Sequence, residues 1–470
     1  MKRCSFKLLG ALLALSAAQI QAVRYTNKTH GSFRPHGVQL AMEKAMMHTL
    51  ETSPAKNAWL GKVQATGFFQ RSENKRDLAR LFLFNNKDAV KLQYSTTSPL
   101  AAGADHSLGY FVHDYLNPND NRNATLKLAP ERSAYGVSVG YQHDLSRLVN
   151  GLHFSISAPL TVIQTRMNMV VTSADAALQE NVEKYFSGRA VNVANNSQAQ
   201  LANAVIADQR AVGVADVELE LNYDVVTRPW GSFSLGLGGT LPTGNRPDGK
   251  FMFQPICGNG HHFGLGAQAG LNVELFEHKN HRVQMHSAAR YRYLFESNQV
   301  RTLGLSTSNS FGQYALMGKK DSAAGTPLVP TANVTTLAVD VTPGHQADMT
   351  AGLSYTWRTF TLDAGYNLFY RHAENVRLRN EFTDNIDTYQ IASTSFNTAN
   401  AFGFTGHHVL DIESAASNTV LSHSIYTSVG MTHNANGTPL MLSVGGSYEF
   451  AGANNSLEQW TAWAKAGISF

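Results

Sequence analysis

Apolar residues fall at every second position in twelve separate stretches of this chain, the mark of strands with two unlike faces. The clearest stretch carries Met349, Ala351, Leu353, Tyr355 and Trp357, with Thr350, Gly352, Ser354 and Thr356 between them. The next carries Phe360, Leu362, Ala364, Tyr366, Leu368 and Tyr370. Two more alternate over 263–275 and 283–296, and weaker versions lie at 61–70, 133–144, 151–163, 212–224, 232–241, 421–432, 439–450 and 459–470.

The connections between these stretches alternate in length. Long ones span 71–132, 164–211, 242–262, 297–347 and 374–420. Short ones lie at 145–150, at Arg228-Pro229-Trp230-Gly231, at His278-Lys279-Asn280-His281, at Arg358-Thr359 and at Asn434-Ala435-Asn436-Gly437, and 451–458 closes the series. A soluble sandwich has no reason to gather its long loops at one end. A barrel in an asymmetric membrane does, with short periplasmic turns and long extracellular loops.

The two faces support the same reading. One is apolar, with aromatic residues near strand ends (Tyr141, Trp230, Phe295, Trp357, Phe360, Tyr370, Tyr448, Phe450, Trp460), as at a membrane interface. The other is mostly Gly, Ser, Thr, Asn and Gln. Strands of about 9–11 residues suffice to cross a bilayer at a steep tilt, and a sheet in lipid must close on itself to satisfy its backbone. The expected fold is therefore all-β, an antiparallel transmembrane β-barrel of about 12 strands over residues 59–470. Partial patterns at Leu81–Phe84 with Ala89–Tyr94, and at Val334–Val341, would raise the count to fourteen.

Composition narrows the class. The 470 residues are 15% charged and 43% hydrophobic, with 24 Phe and 17 Tyr, which excludes a disordered chain. No apolar run after residue 22 reaches the ~20 residues of a membrane helix. Residues 1–22 read as a secretory signal: Lys2, Arg3 and Lys7, then an apolar stretch from Leu8 to Ala18, then small residues up to Ala22. Its loss lowers the formal charge from +4 to about +1, too little for nucleic-acid binding. It also removes Cys4, leaving Cys257 without a disulfide partner.

The final strand alternates Trp460, Ala462, Ala464, Ala466, Ile468 and Phe470 and stops on Phe. This resembles the C-terminal insertion signal of bacterial outer-membrane barrels, with Trp460, Ile468 and Phe470 as the signal residues. The resemblance implies the outer membrane as location, with its lipid and its assembly machinery as partners. The stretch Leu235-Gly236-Leu237-Gly238-Gly239-Thr240-Leu241-Pro242-Thr243-Gly244-Asn245 resembles a strand-end motif of barrels associated with phenol degradation, relatives of the fatty-acid channels. That resemblance implies passage of hydrophobic compounds.

Within residues 23–58, Val38, Ala41, Met42, Ala45, Met46 and Leu50 recur at helical spacing. They predict a short helix, either a plug inside the lumen or a periplasmic helix on the rim. A loop helix is predicted over 173–186, capped by Ser173 or Asp175 and stopped by Gly188, with a second amphipathic piece at about 198–209.

The charged residues on the inward-facing set are the candidate pore lining: Glu218, Glu220, Asp224, Glu274, His286, Arg290, Arg292, Glu296, Asp363, Arg371, Glu449 and Lys465. Facing acidic and basic rows would set ion preference in a water-filled pore; paired, they would pack a closed interior. Catalytic candidates are His407-His408 near Asp411, and Ser422 with His423, but neither has partners at a recognisable spacing. The pairs His261-His262 and His407-His408 have the residue type for a metal, but neighbours on a strand point to opposite faces, and solvated loop histidines are the expected reading. No enzyme activity, cofactor or metal is expected. The expected function is an outer-membrane channel for passive diffusion of small solutes or hydrophobic compounds, and a homo-oligomer is compatible with it. The alternative is an adhesin or other surface-interaction protein anchored by the barrel.

Overall fold

The computed structural model describes residues 28–31, 33–35, 39–50, 61–84, 86–93, 105–107, 122–191, 198–305, 311–319, 328–380, 389–391, 410–435, 438–452 and 457–470. The expected signal at 1–22 and the pair His407-His408 lie outside them.

Twelve strands form the barrel wall. They are β1 (Gly61–Ser72), β2 (Glu131–Asp144), β3 (Leu152–Arg166), β4 (Val217–Arg228), β5 (Gly231–Leu241) and β6 (Gly264–His278). The second half is β7 (His281–Leu294), β8 (Gly344–Trp357), β9 (Phe360–Arg371), β10 (Val420–Ala435), β11 (Thr438–Ala451) and β12 (Gln459–Ser469). Each pairs antiparallel with its neighbour in sequence. The sheet closes where β1 meets β12, with Lys62 opposite Ser469 and Ser72 opposite Gln459. Closure leaves no open edge along the wall, the condition for a sheet in lipid.

The alternation places its apolar set outside. Leu237 is 70% exposed and Leu442 61%, on strands whose intervening residues face inward. A water-soluble barrel would bury that set. Outward aromatics gather at both ends: Trp230, Trp357 and Phe360 near the short turns, Tyr135, Tyr448 and Phe450 near the long loops. This exterior is a membrane-facing belt with two interfacial girdles.

Several local expectations change. The stretch 212–224 is two elements, because Ala215-Asp216 separates β4 from a strand at Gln209–Val214 that pairs with the far end of β3. The additional strands lie above the wall, so the count stays at twelve. Leu81 and Phe82 end α2 (Lys75–Phe82), with Leu83 and Phe84 just beyond it, and Ala89–Gln93 joins a small four-stranded sheet. Thr336–Thr342 joins a three-stranded sheet with Ser297–Thr302 and Asn375–Leu378.

The loop helix forms as α3 (Ala176–Phe186), preceded by Asp175, whose carboxylate accepts from the Ala177 and Leu178 amides. Gly188 ends it at a φ of +71°, a conformation that favours glycine. The piece at 198–209 is not helical; it is held by isolated bridges from Gln198 to Leu328 and Val205 to Phe251. Its apolar residues serve a tertiary core instead. Leu201 and Val205 join Leu78, Phe82, Phe186 and Tyr314 in an apolar cluster through which the long loops fold as a cap over one end of the barrel.

Candidate functional site

The described residues of the N-terminal segment (28–31, 33–35 and 39–50) contact inward side chains of the wall and the loops above it. They include α1 (Leu40–Lys44) and a 3-10 turn at Met47–Leu50, and their course is fixed by contacts at successive depths. At the long-loop end, the Lys28 amide donates to the Leu81 carbonyl at 3.0 Å and the Thr29 amide to that of Ser414 at 2.9 Å. Deeper, Arg34 donates to Asp348 at 2.9 Å, lies 3.6 Å from Glu449 and stacks on the Phe369 ring. Next, Glu43 pairs with Arg290 at 2.8 Å, and the Met46 amide donates to Asp363 at 3.0 Å. At the short-turn end, Leu50 and Met46 pack on Met441. The described residues thus make contacts from the capped mouth at Lys28 to the short-turn end at Leu50.

Lys465 is the firmest tether on the wall. Its ammonium donates to the carbonyls of Met42, Glu43 and Ala45 at 2.6, 2.9 and 2.8 Å. These carbonyls lie at the end of α1, where the helix leaves acceptors unused and a cation is favoured.

The acidic and basic rows are paired. Arg290 reaches Glu220 at 2.5 Å, and Arg292 reaches Glu218 at 2.8 Å. The partners sit on β4 and β7, with β5 and β6 between them, and strands lie about 4.8 Å apart. Glycine makes the reach feasible: Glu220, Gly238, Gly266 and Arg292 occupy one row across the four strands. Gly236 and Gly270 keep adjoining inward positions equally low, so long side chains lie flat across the floor.

The remaining candidates divide by depth. Glu449 is buried and accepts from Ser422 and, at 2.7 Å, from Gln459. Asp363 and Arg371 are also buried inward, and His286 stands near Asp363. Asp224 and Glu274 sit toward the short turns, with Glu274 paired to Arg282 at 3.1 Å. Glu296 does not join the inward group. β7 ends at Leu294, and Glu296 lies beyond it, 43% exposed and paired with Arg377 of the outer sheet. Trp460, Ile468 and Phe470 fall on the outer face of β12, where Phe470 is 55% exposed. Ser422 faces inward while His423 lies against Tyr366 and Phe450, so they do not form a catalytic pair.

Four participants escape a strand-by-strand reading. Asp348 continues the inward set of β8 one step before the first clearly alternating residue, and Arg34 and Glu43 reside outside any strand. A carboxylate at an even position before Thr350 was the available signal for Asp348. The fourth is Asp216, buried at the break before β4, whose carboxylate accepts from the Gly244 and Asn259 amides. Thr243 also donates to the Ala215 carbonyl at 2.6 Å, so the Pro242-Thr243-Gly244-Asn245 exit docks its loop on that break.

At the mouth, a small hollow lies between the segment and the loops, bordered by His30, Phe33, Arg132, Arg301 and Glu374. Burial alone would raise the Glu374 carboxyl, but Arg301 at 2.6 Å, with His30 and Arg371, holds it below the usual range. His262 beside it is pushed down to about 4, chiefly by burial. Its neutral ring donates from Nδ1 to the Phe295 carbonyl and accepts at Nε2 from Gln299.

Among solved structures, an outer membrane channel from Pseudomonas putida F1 is similar over 89% of this chain and 100% of its own, at 9% identity and a TM-score of 0.37. The Pseudomonas putida toluene transporter TodX covers 95% and 97%, at 9% identity and a TM-score of 0.34. The translocator domain of autotransporter NalP from Neisseria meningitidis covers 91% and 92%, at 8% identity and a TM-score of 0.30. No protein-family model and no curated protein matches the sequence. Likeness at this level carries no functional argument; the closed strand order and the apolar exterior establish the membrane-spanning barrel.

Proposed function

We propose that this protein is an outer-membrane channel for small hydrophilic solutes, held shut by its own N-terminal segment. The observation that carries this reading is the set of buried polar tethers between the described residues of the N-terminal segment and the inner wall: Arg34 to Asp348, Glu43 to Arg290, and Lys465 to three carbonyls. A permanently filled barrel could be packed with apolar side chains at less cost in desolvation. Polar tethers can exchange their partners for water; the apolar contacts of Met42, Met46 and Leu50 are the part of the seal that opening must break. The charged, glycine-floored wall it would uncover suits water and polar solutes better than hydrocarbons. The inward candidates would then line the pore, with Arg290 and Arg292 facing Glu218 and Glu220 across it.

Planar-bilayer recording tests the reading. The full chain should give rare openings, and a variant lacking residues 28–50 should give large steady steps, with heat-dependent gel mobility confirming that its barrel folds. Silence from both folded proteins would refute it. The adhesin reading predicts that silence, together with binding to a host or neighbouring cell that is lost on trimming 374–420.

A further inference from the structure

One cluster inside the barrel has chemistry that the segment's tethers do not use. His48 stands on the 3-10 turn Met47–Leu50, His286 on β7 and Asp363 on β9, and one donor atom from each lies within 4.8 Å of the others. The His48 and His286 rings stack with centroids 5.5 Å apart at 17°. His286 Nε2 is 3.4 Å from Asp363 Oδ1 and 2.9 Å from the Tyr426 hydroxyl.

The hydrogen-bond account is incomplete here. Both ring nitrogens of His48, Nδ1 of His286 and Oδ1 of Asp363 are buried and have no hydrogen-bond partner. Asp363 is wholly buried and His286 is 6% exposed. Leaving several such atoms together unsatisfied is costly, and each calls for an explanation. The wall is also shaped around them. Gly352 lies opposite His286, and a Cβ there would stand 2.7 Å from its Nε2 and 2.4 Å from the Tyr426 hydroxyl. The Met46 amide fixes the other carboxylate oxygen, Oδ2, which leaves Oδ1 free for a ligand.

We propose that His48, His286 and Asp363 bind a divalent transition-metal ion of the zinc class, joining the central segment to the wall. Two imidazoles and a carboxylate are a donor set that such ions accept, with a further position left for water. Hard cations such as Mg²⁺ prefer all-oxygen shells and do not fit it. Lys465, the nearby cation, is committed to its three carbonyls. The site does not depend on transport: the ion would pin residues 46–50 whether or not the barrel conducts.

The test uses the folded full-length protein in detergent, stripped with a chelator and titrated with Zn²⁺ by calorimetry. Co²⁺ then serves as a spectroscopic probe of nitrogen and oxygen ligation. The expected result is one saturable Zn²⁺ per chain, Co²⁺ visible bands, and slower amide exchange over residues 46–50 on binding. His48→Ala and Asp363→Asn should each weaken Zn²⁺ by more than about 100-fold, since losing even an outer hydrogen-bond partner of a ligand costs about 10–100-fold. His278→Ala, at an exposed turn, should bind like the parent. His48→Ala changes only the central segment, so it keeps the test open if a wall variant does not fold. Absence of saturable binding, or binding unchanged in folded His48→Ala, would overturn the proposal and leave the channel reading untouched.

Discussion

Arg290 of β7 holds Glu43 of the central segment at 2.8 Å and Glu220 of β4 at 2.5 Å through the same terminal nitrogen. One guanidinium therefore joins the wall to itself and to the segment. The two functions separate on mutation. Glu43→Gln weakens only the segment's tether, whereas Arg290→Ala takes the cation from the buried Glu220 carboxylate and leaves Glu43 with Lys44 alone. We expect Glu43→Gln to raise the open fraction in bilayer recordings several-fold at unchanged step size. Arg290→Ala should cost about 3–5 kcal/mol in urea unfolding, the usual loss when one partner of a buried pair is removed.

Lys465→Met keeps most of the side chain's bulk and removes its three hydrogen bonds. Bonds from a charged donor contribute about 1.5–3 kcal/mol each at most and do not add in full. A loss of about 2–4 kcal/mol is expected, concentrated in the segment. Amide exchange over residues 40–50 should accelerate while that of β1 and β12 stays near the parent. Uniform acceleration across all three would show that Lys465 serves the wall rather than the segment.

His262 sets an acid limit on the mouth. Its folded pKa of about 4 lies below the ordinary 6.5, so the unfolded chain takes up the proton first as pH falls. Its stabilising contribution is complete above about pH 6.5 and is lost between there and about pH 4. Arg301 and Arg371 favour the neutral ring, and Glu374 opposes them. The difference amounts to about 3 kcal/mol. Proteolysis of the loop at 242–263 should rise over that window, and His262→Gln should flatten the rise.

Gly258 has a φ of +83°, and a Cβ there would stand 2.6 Å from the Asp216 carboxylate that pins the loop. Gly258→Ala combines a disfavoured backbone region with a clash against a buried acceptor. Strain of this type costs about 1–3 kcal/mol. The loop should become protease-sensitive while the heat-dependent gel mobility of the barrel is unchanged; an unaltered loop would show that the break at Asp216 yields.

The alternation was a reliable guide wherever lipid lies on one side and the lumen on the other. Leu353 and Tyr355 against Thr350 and Ser354 is a contrast of two solvents, written residue by residue, and it located all twelve wall strands. It failed above the wall, where that contrast disappears. Thr336–Thr342 alternates like a wall strand yet pairs in an outer sheet, and the apolar residues at 198–209 have helical spacing without a helix. Glu296 keeps the inward parity of β7 but lies past Leu294, where the strand ends, so the parity no longer sets its direction.

The sequence by itself determined the strands, their facing and the alternation of short and long connections, because each follows from contacts a residue makes with its near neighbours and with one of two media. Only the tertiary structure decided what fills the lumen. Arg34 meets Asp348, Glu43 meets Arg290 and His48 meets His286 across separations of more than two hundred residues. No spacing in the chain records such meetings. They exist because closing the sheet brings strands distant in sequence around one narrow axis, and because a polar segment placed on that axis must find its partners there or remain unsatisfied.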